Sequence, residues 1–254
     1  MSLFGRIVPV VDLVDRQRDE MFALMRTYYV QVARRRFDAD LAEKDCVVMV
    51  FDRTGAIRGF STQQVLRDRV DGRPVRVLFS GDTIVDRACW TRNPLTQTWG
   101  RFALSLIDDD PRTELYWFLI SKGFRTYRFL PVFFHEFHPR HDAPLPASTA
   151  AILDVFARRK FPATYDPAAL IVRCLDGSGR LRAGVAEITP ARIEDPHVRF
   201  FVEQNPGHAR GDELCCIAPL TRDNFTPAAY RVIGMEPAAA RRSRSVASSR
   251  RDSP

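Results

Sequence analysis

The stretch ELYWFLISKGFRTYRFLPVFF, residues 114–134, decides how the rest of the chain is read. Its first eight residues, Glu114 to Ser121, form an apolar run dense in aromatic side chains, the pattern of a buried strand. In such a strand Tyr116 and Trp117 point to opposite faces. The spacing of Phe129, Leu130, Phe133, Phe134 and Phe137 then predicts a helix from about Arg125 to Phe137, apolar on more than one side. KGFRTY falls at the junction. Gly123 is expected to adopt a backbone geometry that a side chain would forbid. Thr126 and Tyr127 are expected in the first helical turn, where free N–H donors gather.

Upstream, Met21, Leu24, Met25, Tyr28 and Val32 recur at helical spacing and predict one helix from about Val14 to Arg36. DCVVMVFDRTGAIRGFSTQQVL reads as two strands joined at Arg53-Thr54-Gly55. Asp71-Gly72 is a hairpin signal leading into a third long strand, VRVLFSGDTIVD. A helix follows over Leu95, Trp99, Phe102, Ala103 and Leu106, with Asn93 as its expected cap and Pro94 at its first position. It ends at Asp108-Asp109-Asp110-Pro111, an acidic triplet read as a solvated turn rather than a metal site. Downstream, STAAILDVFARRKFP predicts a helix capped by Ser148, and ALIVRCLDGSGRLRAGVAEI suggests a hairpin around Asp176 to Gly179. A short helix follows Asp195-Pro196, and DELCCIAPL is a last buried strand.

The 254 residues are ample for a buried core, and 45% apolar content is that of a globular protein. The net charge of +7 hints at nucleic acid, but residues 241–254 hold five Arg and one Asp, which leaves the body at +3. That Ser/Arg/Ala tail cannot bury apolar surface and is expected to be disordered and solubilising. Cys46, Cys89, Cys174, Cys215 and Cys216 show no paired spacing, which suits a reducing compartment. The expected location is the cytoplasm, without a membrane span. His135, His138 and His141 lack the spacing of a zinc helix, so no metal is expected.

The order of elements is helix, two-strand hairpin, long strand, helix, strand, helix and a late strand. With VMVFDRTGAIRGFST (residues 48–62, containing D-x-x-G-x-I-x-G-F) and ELYWFLISKGFRTYRFL, it resembles the GNAT superfamily of N-acetyltransferases. The resemblance covers residues 14–139 well and the rest loosely. It implies an α/β fold with a GNAT-like mixed, mostly antiparallel central sheet flanked by helices, and a C-terminal α/β extension. The expected division is a core over 1–139, an extension of the same domain over 140–235, and a basic tail over 236–254. In GNAT folds two parallel strands splay apart around the thioester arm of an acyl donor, and a Gly-rich loop holds its pyrophosphate. Here the corresponding DRACWTRNPLTQ, residues 86–97, has no Gly. Arg87 and Arg92 could hold phosphate by charge. Alternatively, the donor is the phosphopantetheine of an acyl carrier protein, or the donor site is lost.

The resemblance implies an N-acyltransferase that moves an acyl group from a CoA or carrier-protein thioester to a small amine or amino-acid-like acceptor. The alternative is a GNAT-like binding or regulatory module without catalysis. Nucleic-acid binding ranks behind both. An Asp inside an apolar strand needs a partner or a job. Asp82 is therefore the candidate base, or else a carboxylate satisfied by Lys122 or by the KGFRTY amides. Asp86, four residues on, would share its face in a regular strand. Tyr127 is the candidate acid toward the thiolate, or else a core tyrosine. Ser80, Gly81, Arg87, Arg92, Asn93 and Thr126 are the expected donor-binding positions, with Gly81 marking a bulge or a close approach. The phenylalanines after Thr126 pack the helix on both sides, or line a pocket for a long acyl chain.

Overall fold

The computed structural model describes residues 2–91, 94–175 and 179–235. Arg92, Asn93, residues 176–178 and the basic tail from residue 236 lie outside these residues. The chain opens with strand β1 (Leu3–Pro9), ahead of the first expected element. Helix α1 (Asp15–Tyr28), the two-residue strand β2 (Tyr29–Val30) and helix α2 (Arg34–Ala42) follow. The single helix expected over Val14 to Arg36 is thus broken. Gln31 takes a φ of 55° at the break. The break has a tertiary cause, because Arg182 N donates to Tyr28 O at 2.9 Å and Gly179 N to Val30 O at 3.0 Å. A distant segment supplies strand partners that outweigh helix propensity.

Strands β3 (Cys46–Asp52) and β4 (Ile57–Val70) form the expected hairpin. Its turn is held by Asp52, whose carboxylate accepts from Thr54 Oγ1 at 2.6 Å, Thr54 N at 2.8 Å and Arg58 Nε at 2.8 Å. These bonds, the Thr54 hydroxyl first, hold the carboxyl below the usual range. Asp71 (φ 50°) and Gly72 (φ 77°) turn the chain into β5 (Arg73–Val85), as the left-handed pair of a tight hairpin requires. Helix α3 (Leu95–Asp109) and strand β6 (Glu114–Ser121) stand where expected.

The expected helix from Arg125 to Phe137 is two short helices, α4 (Phe124–Tyr127) and α5 (Phe129–Phe133). Pro131 offers no backbone N–H, and the chain then leaves the helix to reach the sheet. His138 N and O exchange 2.8 Å bonds with Ile217, so His138 pairs as extended chain, while His135 lies in a bend where its N donates to Asn224 O at 2.9 Å. Helix α6 (Ala147–Lys160) starts one residue before Ser148, behind Pro146, so Ser148 is not its cap. Strands β7 (Tyr165–Asp166), β8 (Ile171–Val172) and β9 (Arg180–Leu181) follow. The hairpin expected around Asp176 to Gly179 does not form: β8 pairs with β10, and β9 with β2. Helices α7 (Pro190–Ile193) and α8 (Pro196–Gln204), strand β10 (Glu213–Pro219) and helix α9 (Pro227–Ile233) complete the chain.

Eight strands form one sheet in the order β1-β3-β4-β5-β6-β10-β8-β7. All neighbours are antiparallel except β5 and β6. This is the mixed, mostly antiparallel sheet expected from the sequence, flanked on one face by α3, α5 and α9 and on the other by α1, α2 and α6. The extension builds the sheet itself, since β10 lies directly against β6. Val48, Val50, Leu78, Trp99, Phe118 and Leu119 are buried, and Phe129 packs at the edge of the core. No described helix is long and apolar enough to cross a membrane.

Candidate active site

The parallel ladder of β5 and β6 runs from Val75–Glu114 to Ser80–Leu119 and stops there. At the same level β5 bulges against β4: Ser61 faces Thr83 and Gln63 faces Ser80, so Gly81 and Asp82 together oppose Thr62. Beyond the bulge the strands diverge, because β5 stays with β4 while β6 stays with β10. A cavity of about 640 Å³ opens in the gap, a volume typical of small-molecule sites. Gly81 to Val85 line one lip, and Ile120 with Lys122 to Thr126 line the other.

Gly81 is required by close approach. A Cβ there would lie 2.7 Å from Thr62 Oγ1 and 3.0 Å from Lys44 Cε. Gly123 differs from expectation, since its φ of −132° is open to any residue. A Cβ would instead press to 3.3 Å on Ala186 and Leu181, side chains of the segment that roofs the cavity.

Asp82 stands in the cavity wall among charged groups. Burial raises its carboxyl to about 6, and Asp40 adds to the rise, while Lys122 and Lys44 oppose it. Asp40 pairs with Lys44 Nζ at 2.6 Å, and burial still lowers that ammonium. Lys122 pairs with Glu213 Oε1 at 3.3 Å and lies 5.6 Å from the Tyr29 ring centre. Burial alone would lower Lys122, but Glu213, Tyr29 and Asp82 outweigh it and hold the ammonium above its usual range. Burial pushes the Tyr29 phenol up to about 12, against the pull of Lys122. The internal Asp82–Lys122 pair foreseen from the sequence is therefore a coupling across the gap, and no direct hydrogen bond holds it. Asp86 has left the strand. It caps the next turn by accepting from Ala88 N at 3.1 Å, and it accepts from Tyr28 Oη at 3.3 Å.

Two expected site residues are spent elsewhere. Ser80 is buried; its hydroxyl donates to Gln63 Oε1 (2.7 Å) and accepts from Trp117 Nε1 (2.9 Å). It ties β4, β5 and β6 together below the cavity. Tyr127 is fully buried among Phe137, Phe200 and Phe201, and its hydroxyl donates to Pro139 O at 2.9 Å. Burial raises that phenol strongly, and it does not line the cavity, so the proposed acid is a core residue. Thr126 and Gly81 do line it.

At the mouth, Arg125 lies 4.6 Å from the centre of the Trp90 ring and Arg87 5.7 Å from it, while Arg192 stands 5.2 Å from Phe124. Burial lowers Arg125, and the neighbouring Arg192 and Arg87 lower it further. Neither Arg87 nor Arg125 makes an ion pair with a described residue. Like charges thus gather around the Trp90 and Phe124 rings, and of the three arginines Arg125 lines the cavity. Sequence reading found Arg87 but missed Arg125 and Arg192, which no local motif links. Among the described residues, no group of three His, Cys, Asp or Glu side chains gathers as a metal site.

No protein family and no curated protein matches this sequence. Among solved structures, about half of the chain is similar to a probable N-acyltransferase from Enterococcus faecalis V583, with TM-score 0.40 and 11% identity over 53% of this chain and 33% of that one. It is also similar to a GNAT family N-acetyltransferase from Escherichia coli in complex with CoA (TM-score 0.37, 16% identity, 51% and 69% of the two chains). A third is glucosamine-6-phosphate N-acetyltransferase from Arabidopsis thaliana (TM-score 0.38, 10% identity, 57% and 97%). The match spans a third of the length of the first of these proteins.

Proposed function

We propose that the protein is an N-acyltransferase whose thioester donor threads the gap between β5 and β6. The observation that carries this reading is the end of the β5–β6 ladder at a bulge, with a cavity and a proton-hungry carboxylate at that point. The donor's phosphate rests on Arg87, Arg125 and Arg192, by charge and without a Gly-rich loop. Its acyl carbonyl reaches the bulge, where the β5 backbone has no β6 partner and offers donors to the developing oxyanion. The acceptor nitrogen attacks the carbonyl carbon, the C–N bond forms and the C–S bond breaks. Asp82 takes the amine proton and the thiolate departs toward the mouth. A phosphopantetheine on a carrier protein meets the same arginines with one phosphate.

The test is thiol release from acetyl-, octanoyl- and palmitoyl-CoA in the presence of a panel of small amines and amino acids, with Asp82→Asn as control. Thiol release that needs both acceptor and Asp82 supports the reading. A thermal shift with acyl-CoA but no turnover with any acceptor favours the binding-module alternative, which the glycine-free loop at 86–97 recommends. A carrier-protein donor is indicated if acyl carrier protein supports turnover where CoA esters fail.

A further inference from the structure

The inner half of the cavity holds more chemistry than proton removal needs. Asp82 on β5 and Lys122, the residue after β6, stand on opposite lips of the gap and line the same space. The Lys122 side chain is 20% exposed, and Glu213 is its one ion-pair partner among the described residues. That contact, at 3.3 Å, is longer than an optimal charge-assisted bond and uses one of three N–H donors. The Tyr29 ring face supports the ammonium without accepting a conventional hydrogen bond. A half-buried cation with unspent donors therefore lines the same space as the candidate base.

The charges around Asp82 limit what can fill that space. Asp40 from α2 and Glu213 from β10 face it with negative charge, while Lys44 and Lys122 face it with positive charge; Tyr29 stands by Lys122. Asp40 is neutralised by Lys44 and Glu213 by Lys122, which leaves Asp82 as the carboxylate without its own cation. Arg36 also lines the cavity. Among the side chains that line the cavity, Asp40, Asp82 and Glu213 stand with Arg36, Lys122, Arg125 and Arg128, so a zwitterion meets an opposite charge at each of its ends and brings no net charge of its own. The space is also roofed. The β2–β9 pair brings Gly179 over Lys122, where a Cβ would sit 3.5 Å from Nζ, and narrows the space beside the ammonium to a small acceptor.

We infer that the acceptor is a free α-amino acid, held with its amine at Asp82 and its carboxylate on the Lys122 ammonium. This inference rests on the acyltransfer reading and deepens it. The further walls of the chamber, Met25, Phe37, Phe79 and Phe161, are apolar and suit an apolar side chain or the acyl group. Lys122 then sets specificity and takes no proton.

The test compares L-leucine and L-phenylalanine with their amides, which keep the amine and remove the anion. The wild-type protein should show a KM about 10- to 100-fold lower for the acid, the range of a charged hydrogen bond. Lys122→Gln should erase the KM preference of the acid over the amide, and because Lys122 also holds down the Asp82 carboxyl, kcat for the two is compared at a pH well above 6. Lys122→Arg should restore part of the preference. Calorimetric binding of the same amino acids in the presence of CoA gives a readout without turnover. Lys122-dependent binding without acylation would sink the acyltransfer reading and support this one. Acylation of acid and amide with equal KM by the wild type would overturn this inference and leave acyl transfer standing. Loss of both substrates in equal measure in Lys122→Gln, with the fold intact by circular dichroism, would also overturn it.

Discussion

Ser80 and Asp82 stand two residues apart on one strand, the first below a bulge and the second within it, and their surroundings are opposite. Below the bulge, Ser80 belongs to a closed network. Gln63 Nε2 donates to Ser61 Oγ at 2.7 Å, and Trp99 Nε1 donates to Gln63 Oε1 at 3.2 Å. Here β5 and β6 are paired, and the side-chain groups of Ser80, Gln63 and Trp117 satisfy one another, as a structural core demands. Above it the ladder is gone, and Asp82 lies in a cavity wall with its proton affinity raised. The lower half fixes where the strands separate, and the upper half keeps a reactive group under-satisfied. Polar residues in apolar strands thus divide into those that hold the gap and those that use it.

The largest expected effect falls on the upper half. Asp82→Asn should lower turnover by about 100-fold or more, the scale of a lost general base. Stability should move the other way. The folded carboxyl is raised from 3.8 to about 6, so the folded state binds the proton more tightly than the unfolded chain. Its contribution is favourable at acid pH and is lost as pH rises through that window. At pH 8 the neutral Asn should therefore raise stability by roughly 1–3 kcal/mol, measured by urea titration. A destabilised Asp82→Asn would mean that the carboxylate belongs to the structural half after all.

Ser80→Ala is the counterpart below the bulge. It leaves Trp117 Nε1 and Gln63 Oε1 short of a partner and should cost about 2–3 kcal/mol, with activity per folded molecule kept. Lost activity at full stability would move Ser80 back into the site. A smaller effect is the acid limb of the rate profile. The kcat/KM should fall about tenfold per pH unit below about 6 as Asp82 is protonated, and this limb should vanish in Asp82→Asn. Tyr127→Phe should do least, costing about 1 kcal/mol for its bond to Pro139 and leaving turnover intact.

The sequence made the lower half and the gap legible for local reasons. Asp71-Gly72 and Arg53-Thr54-Gly55 are turn chemistry, and Gly81-Asp82 inside VRVLFSGDTIVD stands out against the apolar alternation. Long-range pairings were invisible. Leu3–Pro9 becomes a strand because β3 offers it an edge, and Tyr28 ends α1 because Gly179 and Arg182 bind the next turn's backbone. The same distance hid half of the site. Lys122 was visible beside Gly123, but Tyr29, Asp40 and Glu213 come from three elements that meet it only in the fold. Tyr127 misled because its place in a helix's first turn matched the expected acid, while the aromatic load of α8 buried it.

The central claim is that the gap between β5 and β6 holds a thioester arm. A crystal structure with a non-hydrolysable acyl-CoA analogue tests it most directly. The account predicts the pantetheine arm between Gly81–Val85 and Ile120–Lys122, with the acyl carbonyl beside Asp82 and the phosphates on Arg87 and Arg125. An analogue bound outside the gap, or β5 and β6 paired past Ser80 and Leu119 with the cavity closed, would contradict it.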